Sequence, residues 1–396
     1  MYFQHTLHFL ITMKKLSLTL VSLLSTSLFA QIQLSPFPMQ AIGKAAQLAV
    51  SDKDELFIIN TQGELWQATP IMNKLSDGFS TQIAPSVAYN RVAGADKQGN
   101  FMLWTAKQLY TSTIPLAKQA GMHPLAFATI AVSKQGKQHK LVRIETKGTQ
   151  AEITAMASTE VLPDAQPMQI DFKHSAPNQG HIAILAKPDN STYLHGVLGD
   201  AIEAAEVQYL ERHTLEPLAE GLSTKGLVFE ANRFEHFATN SGAKLVSVMS
   251  GNGEGGRTVL VGEQNGKLVL EQSSSPLPNN RWQSPFVFNR KLYAVQMPHL
   301  RGKLVEYTPQ GAKLAEHFMQ DGFSNHRYGE YETNLAASAS HFAVLPLRDY
   351  RHIAILDSQG QLQTLAQTLP AEIQKTKASK DSVYLLLENG QIWLAQ

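Results

Sequence analysis

One stretch of the chain occurs twice: Arg233-Phe-Glu-His-Phe-Ala-Thr-Asn240 is matched by Arg327-Tyr-Gly-Glu-Tyr-Glu-Thr-Asn334. At the same offset, and without a gap, Gln264-Asn-Gly-Lys-Leu268 is matched by Ser358-Gln-Gly-Gln-Leu362. A third copy of this closing turn, Thr308-Pro-Gln-Gly-Ala-Lys-Leu314, lies almost midway between the two. The underlying repeat is therefore about 47 residues long.

The rest of the chain repeats one phrase, in which a polar turn with glycine joins two short strands. Leu56–Trp66 and Leu385–Trp393 are examples, and the glycine supplies the positive φ that a tight hairpin needs. Units of this length and pattern are typical of the four-stranded blades of a β-propeller. Only Ala201–Glu220 has a helical periodicity, and it predicts either a short helix or a pair of strands.

We expect an all-β fold consisting of a single β-propeller of seven or eight four-stranded blades, with eight preferred. The eight units are expected to begin near Lys44, Pro85, Pro124, Gln166, Phe229, Gln283, Thr333 and Glu372. The last unit has room for only three strands, and Ile32–Phe37 is a spare strand at the other end of the chain. Pairing of these two ends would close the ring and leave no exposed sheet edge. Seven blades follow if two short units in the first half merge.

Composition excludes several classes of function. The chain has 396 residues, of which 43% are hydrophobic and 17% charged, and its formal net charge is +1. This balance allows a substantial core and does not favour nucleic acid as a partner. The chain contains no cysteine, which excludes disulfides, thiolate metal sites, cysteine nucleophiles and a lipid-modified cysteine. We expect a monomer.

The first thirty residues have the pattern of a secretory signal peptide. Met13-Lys-Lys15 is basic, Leu16–Leu24 is apolar, and Ser25–Ala30 ends in a small residue. Residues 1–30 are therefore interpreted as an upstream extension and a signal peptide, with Met13 as the expected start, and residues 31–396 as the propeller domain. A retained membrane anchor is the alternative, because Leu28 departs from the small-residue rule. We expect cleavage near Ala30 and a bacterial protein that is periplasmic or secreted, without stable membrane insertion.

The segment Met249–Val261 resembles a blade of the FG-GAP/VCBS propellers, the integrin-type repeat. Their blades carry a calcium loop rich in aspartate, and here Asn252 and Glu254 keep the centre of that pattern. Ser250 and Thr258 stand where the first and last aspartates would be. Calcium prefers six to eight oxygen ligands, several of them anionic. The resemblance therefore implies a degenerate loop at Asn252 and Glu254, and we expect no cofactor and no strong calcium site.

The candidate ligand-binding residues lie at the entry to the first strands of two units. They are Arg233, Glu235, His236, Asn325, His326, Arg327 and Glu330. Because first strands line the central channel of a propeller, these side chains could form a polar funnel for a carboxylate, a phosphate or a sugar. The alternative is a packing motif in which the arginine bridges adjacent blades.

No catalytic constellation occurs in the sequence, so we assign no catalytic residue. The function that we expect is that of an exported, non-enzymatic propeller that binds a protein, a glycan or another component of the cell envelope through one face. The alternative is a periplasmic or secreted propeller hydrolase or lyase that acts on a polysaccharide. Its candidate residues are Glu330, His326 and Arg327, with Glu235 and His236 facing the channel.

Overall fold

The computed structural model describes residues 32–172, 180–224 and 226–396. Within these ranges the chain forms 33 β-strands and no α-helix; one 3₁₀ turn, Gly196–Leu198, is the exception to strand and loop. The signal-peptide prediction for residues 1–30 lies outside the described residues. No helix in the described ranges is both long enough and apolar enough to cross a bilayer.

The strands fall into successive antiparallel groups, which we number units 1 to 8. The first strand of the chain is β1 (Leu34–Pro36). Unit 1 comprises β2 (Ala45–Val50), β3 (Leu56–Asn60), β4 (Leu65–Gln67) and β5 (Asn73–Ser76). Unit 2 comprises β6 (Ser86–Ala88), β7 (Arg91–Ala95), β8 (Phe101–Thr105) and β9 (Leu109–Tyr110). Unit 3 comprises β10 (Met122–Pro124), β11 (Ala128–Gln135), β12 (Gln138–Lys147) and β13 (Gln150–Glu160).

The next three units are joined into one thirteen-stranded sheet. Unit 4 comprises β14 (Met168–Ile170), β15 (His181–Asp189), β16 (Glu203–Leu210) and β17 (Leu222–Ser223). Unit 5 comprises β18 (Leu227–Phe229), β19 (Glu235–Thr239), β20 (Gly242–Gly251), β21 (Glu254–Gln264) and β22 (Lys267–Ser273). Unit 6 comprises β23 (Gln283–Phe288), β24 (Lys291–Gln296), β25 (Lys303–Gln310) and β26 (Lys313–Gln320). Single residue pairs link these units, Ala204 with Phe229 and Ser273 with Lys313.

The last two units are again separate four-stranded sheets. Unit 7 comprises β27 (Ala337–Ser338), β28 (Phe342–Pro346), β29 (Ile353–Asp357) and β30 (Leu362–Thr364). Unit 8 comprises β31 (Ile373–Ala378), β32 (Val383–Leu387) and β33 (Ile392–Ala395). Its fourth strand is β1, which pairs antiparallel with β33 through Leu34 and Ala395. The predicted pairing of the two chain ends is therefore confirmed.

Each unit packs its apolar side chains against the next unit. One core cluster joins unit 8 to unit 1, with Leu386 against residues such as Ile58, and another joins units 7 and 8. Further clusters join units 1 and 2, units 2 to 5, units 5 and 6, and units 6 and 7. A lone sheet could not bury both of its faces, so this stacking supplies the core.

Turn glycines set the hairpins, as the sequence pattern predicts. Gly63 and Gly390 have φ values of 82° and 81°. A Cβ atom at Gly63 would lie 2.5 Å from the carbonyl oxygen of Phe79, so this turn also packs closely against the next unit. The ambiguous segment Ala201–Glu220 forms a strand, β16, followed by turns, and contains no helix. Seven of the eight residues of β16 are buried, which is typical of a strand covered on both faces by neighbouring units.

The ungapped match between the two copies does not hold as a structural equivalence in its first half. In unit 5 the repeated motif forms β19, Glu235–Thr239, but the matching residues 329–333 are loop, and unit 7 begins its first strand at Ala337. The reason is a compensating change of length. In unit 5 the strands β20 and β21 extend to a tight turn at Gly251–Glu254, whereas residues 347–352 form an open loop in unit 7.

Candidate functional site

The segment that connects β26 to β27, residues 321–336, carries four of the candidate residues: Asn325, His326, Arg327 and Glu330. Two of them, Asn325 and His326, fix the segment to the units beneath it. Asn325 is buried and donates from its amide to the carbonyl oxygen of Ser284, at 3.2 Å. His326 is also buried, and its ring stands edge-on to Trp282 with the centroids 4.9 Å apart. These two side chains therefore anchor the segment from below and do not face solvent.

His326 has both ring nitrogens engaged. Nε2 donates to the carbonyl oxygen of Glu330 at 2.9 Å, and Nδ1 lies 2.9 Å from Nε2 of His299. Burial lowers the pKa of His326 to about 3 and that of His299 to about 4. The imidazole of His326 is therefore neutral at ordinary pH and serves as a fixed hydrogen-bonding group.

Arg327 turns outward from the same segment. Its guanidinium lies 2.6 Å from Glu388 and 3.1 Å from Glu372, both in unit 8, and stands over the ring of Tyr350 at 5.7 Å. Arg327 therefore bridges unit 8 and the segment that leads into unit 7. An exposed cavity of about 360 Å³ lies beside it, and its lining residues are Pro298, His299, Arg327, Tyr328, Glu330, Arg348, Tyr350 and Glu372.

Arg233 and Glu235 lie deeper. The Arg233 side chain donates from Nε to Thr333 Oγ1 at 2.8 Å and forms an ion pair with Glu332. Glu235 accepts from the amide of Asn334 at 3.2 Å, and burial raises its pKa, an effect that Arg233 partly offsets. The second copy of the repeated motif thus supplies the partners of the first.

The seven predicted residues do not form one site. Arg327 and Glu330 lie at the mouth of the channel, Arg233 and Glu235 lie further inside, and Asn325 and His326 lie beneath the surface. His236 is exposed, because it alternates with the inward-facing residues of β19. The structure therefore distributes the seven residues over the channel mouth, a deeper position, a buried layer and the exposed side of β19, and the binding role proposed for them stays a prediction.

Two adjoining cavities occupy the channel. The outer cavity, of about 330 Å³, is lined by Arg327, Glu330, Glu388, Gln47 and Lys375, among others. The inner cavity, of about 180 Å³, is lined by Ala84, Pro85, Ser86, Gln119, Ala120, Met122, Gln166, Asn232, Arg233, Tyr331, Glu332, Lys375 and Lys377. Gln119, Tyr331, Glu332 and Lys375 line both.

Lys375 and Lys377 are the residues that the sequence reasoning missed. They occupy alternate positions of β31, the first strand of unit 8, and so point to the same side of the sheet. Burial lowers the pKa of each to about 8, and each is further lowered by neighbouring cations. The available signal was the alternation Gln374-Lys-Thr-Lys377 in a strand expected to line the channel.

A group of four acids, three of them buried, lies behind Tyr331, on units 4 and 5 and on the segment that leads into unit 4. We call Asp164, Asp200, Glu203 and Glu230 the acid cluster. Glu230 is fully buried, contacts His195 Nδ1 at 2.5 Å and accepts from Ser250 Oγ. Asp200 accepts from the backbone of Ile202 at 2.8 Å.

Burial raises the pKa values of three of these acids, Asp164, Glu203 and Glu230. The pKa of Asp164 is raised to about 7, by burial first and by the charge of Asp200 second, although Asn232 hydrogen-bonds to it. The pKa of Glu203 is raised well above its ordinary value by burial and by the neighbouring acids, and a backbone bond from Ala231 opposes this. Burial also raises the pKa of Glu230, against the effect of His195.

The loop that resembles a calcium site forms a tight hairpin turn instead. Asn252 and Gly253 have φ values of 56° and 77°, as in a two-residue turn between β20 and β21. The Glu254 carboxylate forms an ion pair with Arg257, and Ser250 faces Glu230. Nowhere in the described ranges do three or more histidine or acidic side chains come together to hold a metal ion. The residues present therefore do not fit calcium at this turn.

Comparison with known proteins shows the fold. No protein-family model and no curated protein sequence matches the chain. Among solved structures, the Dos1 propeller is 10% identical, with 92% of this chain and 95% of that chain covered and a TM-score of 0.59. Sqt1 of Saccharomyces cerevisiae is 9% identical, with 89% and 95% covered and a TM-score of 0.55. The computationally designed Ika8 protein is 13% identical, with 89% and 95% covered and a TM-score of 0.52.

This chain has the fold of a β-propeller. At these identities the likeness shows the fold alone, and membership in the FG-GAP/VCBS family is not shown by any match. Function must therefore be argued from the residues of the site itself.

Proposed function

We propose that this protein is an exported, monomeric, non-enzymatic β-propeller that binds a protein or glycan of the cell envelope through one face. In this proposal units 1 to 8 are the blades of one closed ring. The packing of each unit against the next, and of unit 8 against unit 1, supports eight blades over seven. The pairing of β1 with β33 supports closure at the joint between the chain ends.

The observation that carries the proposal is a set of exposed apolar and aromatic side chains on adjoining loops beside the channel mouth. We call Leu194, Leu300 and Tyr328 the loop face; their side chains are 68%, 50% and 72% exposed. They come from units 4 and 6 and from the segment before unit 7. Exposed apolar groups of this size, rimmed by polar residues, are typical of interaction surfaces. Arg327 and Arg348 supply such a rim at the adjoining cavity.

The loop face is held in place by contacts beneath it. The backbone of Gly329 donates to the carbonyl oxygen of Val197 at 2.9 Å, which joins the segment before unit 7 to the loop of unit 4. The ring of Tyr328 stands edge-on to His299 with centroids 5.4 Å apart. A surface that is already ordered loses less conformational entropy when a partner binds.

The geometry gives less support to a hydrolase or lyase. His326 has both nitrogens occupied within the protein, so neither is free to take a proton from a substrate. Glu330 and Glu235 line different cavities, and Glu235 is bonded to Asn334. A glycosidase needs two carboxyl groups that flank one bond. We therefore favour binding over catalysis.

The test uses the double variant Leu300→Ala/Tyr328→Ala and isolated envelope fractions. Burial of an aromatic anchor makes a large contribution to most interfaces, so we expect at least about thirtyfold weaker binding. Phe127→Ala is the matched control, because Phe127 is 82% exposed and lies in a loop between first and second strands, away from the loop face. Protease treatment of the fraction distinguishes a protein partner from a glycan.

Equal binding by the double variant and the native protein would overturn the loop face as the interface. Export has a separate test. The full chain, expressed in a bacterial host, is expected in the periplasm or the medium with Gln31 as its first residue. Recovery only from the cytoplasm, with an unprocessed N-terminus, would contradict export.

A further inference from the structure

We infer that the inner cavity of the channel binds the oxyanion, a carboxylate or a phosphate, of a small hydroxylated molecule. We call Arg233, Lys375 and Lys377 the cationic corner. This inference does not depend on the loop face, because it rests on different residues and on a different cavity. No match to a known protein assigns a ligand here.

The fold brings these three cations to one place. Lys375 and Lys377 project from β31, and Arg233 precedes β19, the strand that continues unit 5 on another part of the ring. All three line the inner cavity of about 180 Å³, and of the residues that the structure describes Glu332 is the one acid that lines it with them. The corner is therefore a meeting point of side chains from separate units, as ligand sites in propeller channels must be.

The three cations differ in how the protein neutralises them. Arg233 has an ion pair with Glu332. Among the described residues, the Lys375 side chain donates only to the neutral side-chain oxygen of Gln47, at 2.6 Å. The Lys377 side chain has no hydrogen bond or ion pair to any residue within the described ranges.

The other acids near the channel do not supply an anionic hydrogen-bond partner for Lys375 or Lys377. Glu330 attracts Lys375, and Glu235 attracts Lys377, but both act through space without a hydrogen bond. Glu372 and Glu388 are committed to Arg327 at the mouth. An ammonium group that is partly removed from water and left without an anion is costly. A bound oxyanion would supply both the missing charge and the missing acceptors.

The remaining wall of the inner cavity indicates what carries the oxyanion. Gln119, Gln166 and Ser86 bring amide and hydroxyl groups to this wall, which are suited to the hydroxyls of a ligand. The amide of Asn232, by contrast, is engaged with Tyr331 and Thr333. Ala84, Pro85 and Met122 form a short apolar stretch beside them. A sugar acid and a sugar phosphate share this chemistry, an oxyanion beside several hydroxyls.

The experiment is calorimetric titration of the native protein with glucuronate, glucose 6-phosphate, inorganic phosphate and glucose. We expect glucuronate or glucose 6-phosphate to bind at least tenfold more tightly than glucose, because only the anions engage the two lysines. The relative affinity of the two anions distinguishes a carboxylate ligand from a phosphate ligand. Binding of inorganic phosphate alone would contradict the part of the proposal that assigns hydroxyl recognition.

Variants locate the binding. Lys377→Met is expected to weaken the preferred anion at least tenfold, because it removes a charge-assisted hydrogen bond. Lys380→Met is the matched control, since Lys380 is exposed in the loop after the same strand, and it should leave affinity unchanged. Circular dichroism confirms that both variants are folded.

Two outcomes would overturn the inference. One is the absence of binding by every anion at millimolar concentration. The other is binding that Lys377→Met leaves unchanged, which would place the anion elsewhere. Neither result bears on the loop face, whose test uses Tyr328 and Leu300.

Discussion

The acid cluster and the cationic corner lie on either side of Tyr331, but they differ in whether their side chains have hydrogen-bond partners within the protein. The ring of Tyr331 lines the channel beside Lys375, while its hydroxyl bonds to Asp200. Behind it, Glu230 is matched by His195 and Ser250, and Asp164 by Asn232. In front of it, Lys377 has no such match within the described part of the chain.

The difference separates a structural role from a binding role. Buried charges that have their hydrogen bonds inside the protein stabilise one arrangement of loops, and removal of a partner is costly. Charges that lack internal partners destabilise the fold and are retained when a ligand completes them. The comparison predicts that changes in the acid cluster reduce stability, and that changes in the cationic corner reduce ligand binding and raise stability.

The largest effect is expected for His195→Ala. This change leaves the fully buried Glu230 carboxyl without the hydrogen bond to His195, and a buried polar group left without its partner costs about 3 kcal/mol, or more where it carries a charge. Chemical denaturation at pH 7 measures the free energy of unfolding. His341→Ala is the control, because His341 is exposed, and we expect a change within about 0.5 kcal/mol. A loss below about 1 kcal/mol for His195→Ala would show that the cluster is not held by this pair.

The second effect concerns pH. The pKa of Asp164 is raised to about 7 in the folded state, so the folded protein binds the proton more tightly than the unfolded chain. The resulting stabilisation is complete below pH 4 and is lost as pH rises toward 7.

The Asp164→Asn variant lacks this titration. Its free energy of unfolding, relative to the native protein, should therefore increase from pH 4 to pH 7.5, by up to about 4 kcal/mol at about 1.4 kcal/mol per pKa unit. The measurement is paired denaturation curves across this range. A constant difference between variant and native protein would mean that Asp164 has an ordinary pKa, and the acid cluster would then be better hydrated than its burial indicates.

The smallest expected effect, a change in stability of the Lys377→Met variant, is the most direct test of the contrast between the acid cluster and the cationic corner. Without ligand, Lys377→Met should raise the free energy of unfolding by about 1 kcal/mol at pH 7, because it removes a desolvated ammonium. The pKa of Lys377 is lowered to about 8, so the cost is fully present below pH 8 and is relieved as pH rises toward the ordinary pKa. Lys380→Met is again the control. A loss of stability in Lys377→Met would show that Lys377 stabilises the fold, as the acid cluster does, and would contradict the contrast between the two groups.

The fold could be predicted largely from sequence because its signals are local. Turn glycines and short alternating strands are visible within one unit, and the repeat length follows from comparing units. The expected start of a unit at Gln283 coincides with the first residue of β23. The pairing of Ile32–Phe37 with the last unit followed from a count of strands. The equivalence of Arg233 and Arg327 was wrong, because two compensating changes of length kept the alignment free of gaps.

The site could be predicted only in part, because its partners come from distant units. The motif around Arg233 was visible, but not that Glu332 and Thr333 would complete it. The alternation of Lys375 and Lys377 on a strand expected to line the channel was a local signal that the sequence analysis did not use. The side chains that they meet there come from distant units and are not encoded by that pattern.

The pairing of β1 with β33 makes the first described strand depend on the last. During synthesis β1 is made long before its partner, so it stays unpaired until β33 has emerged. A chain that lacks β33 would leave β1 unpaired and the neighbouring sheet edges open to aggregation or proteolysis. An intact β33 is therefore the condition for covering the edges of both unit 8 and β1.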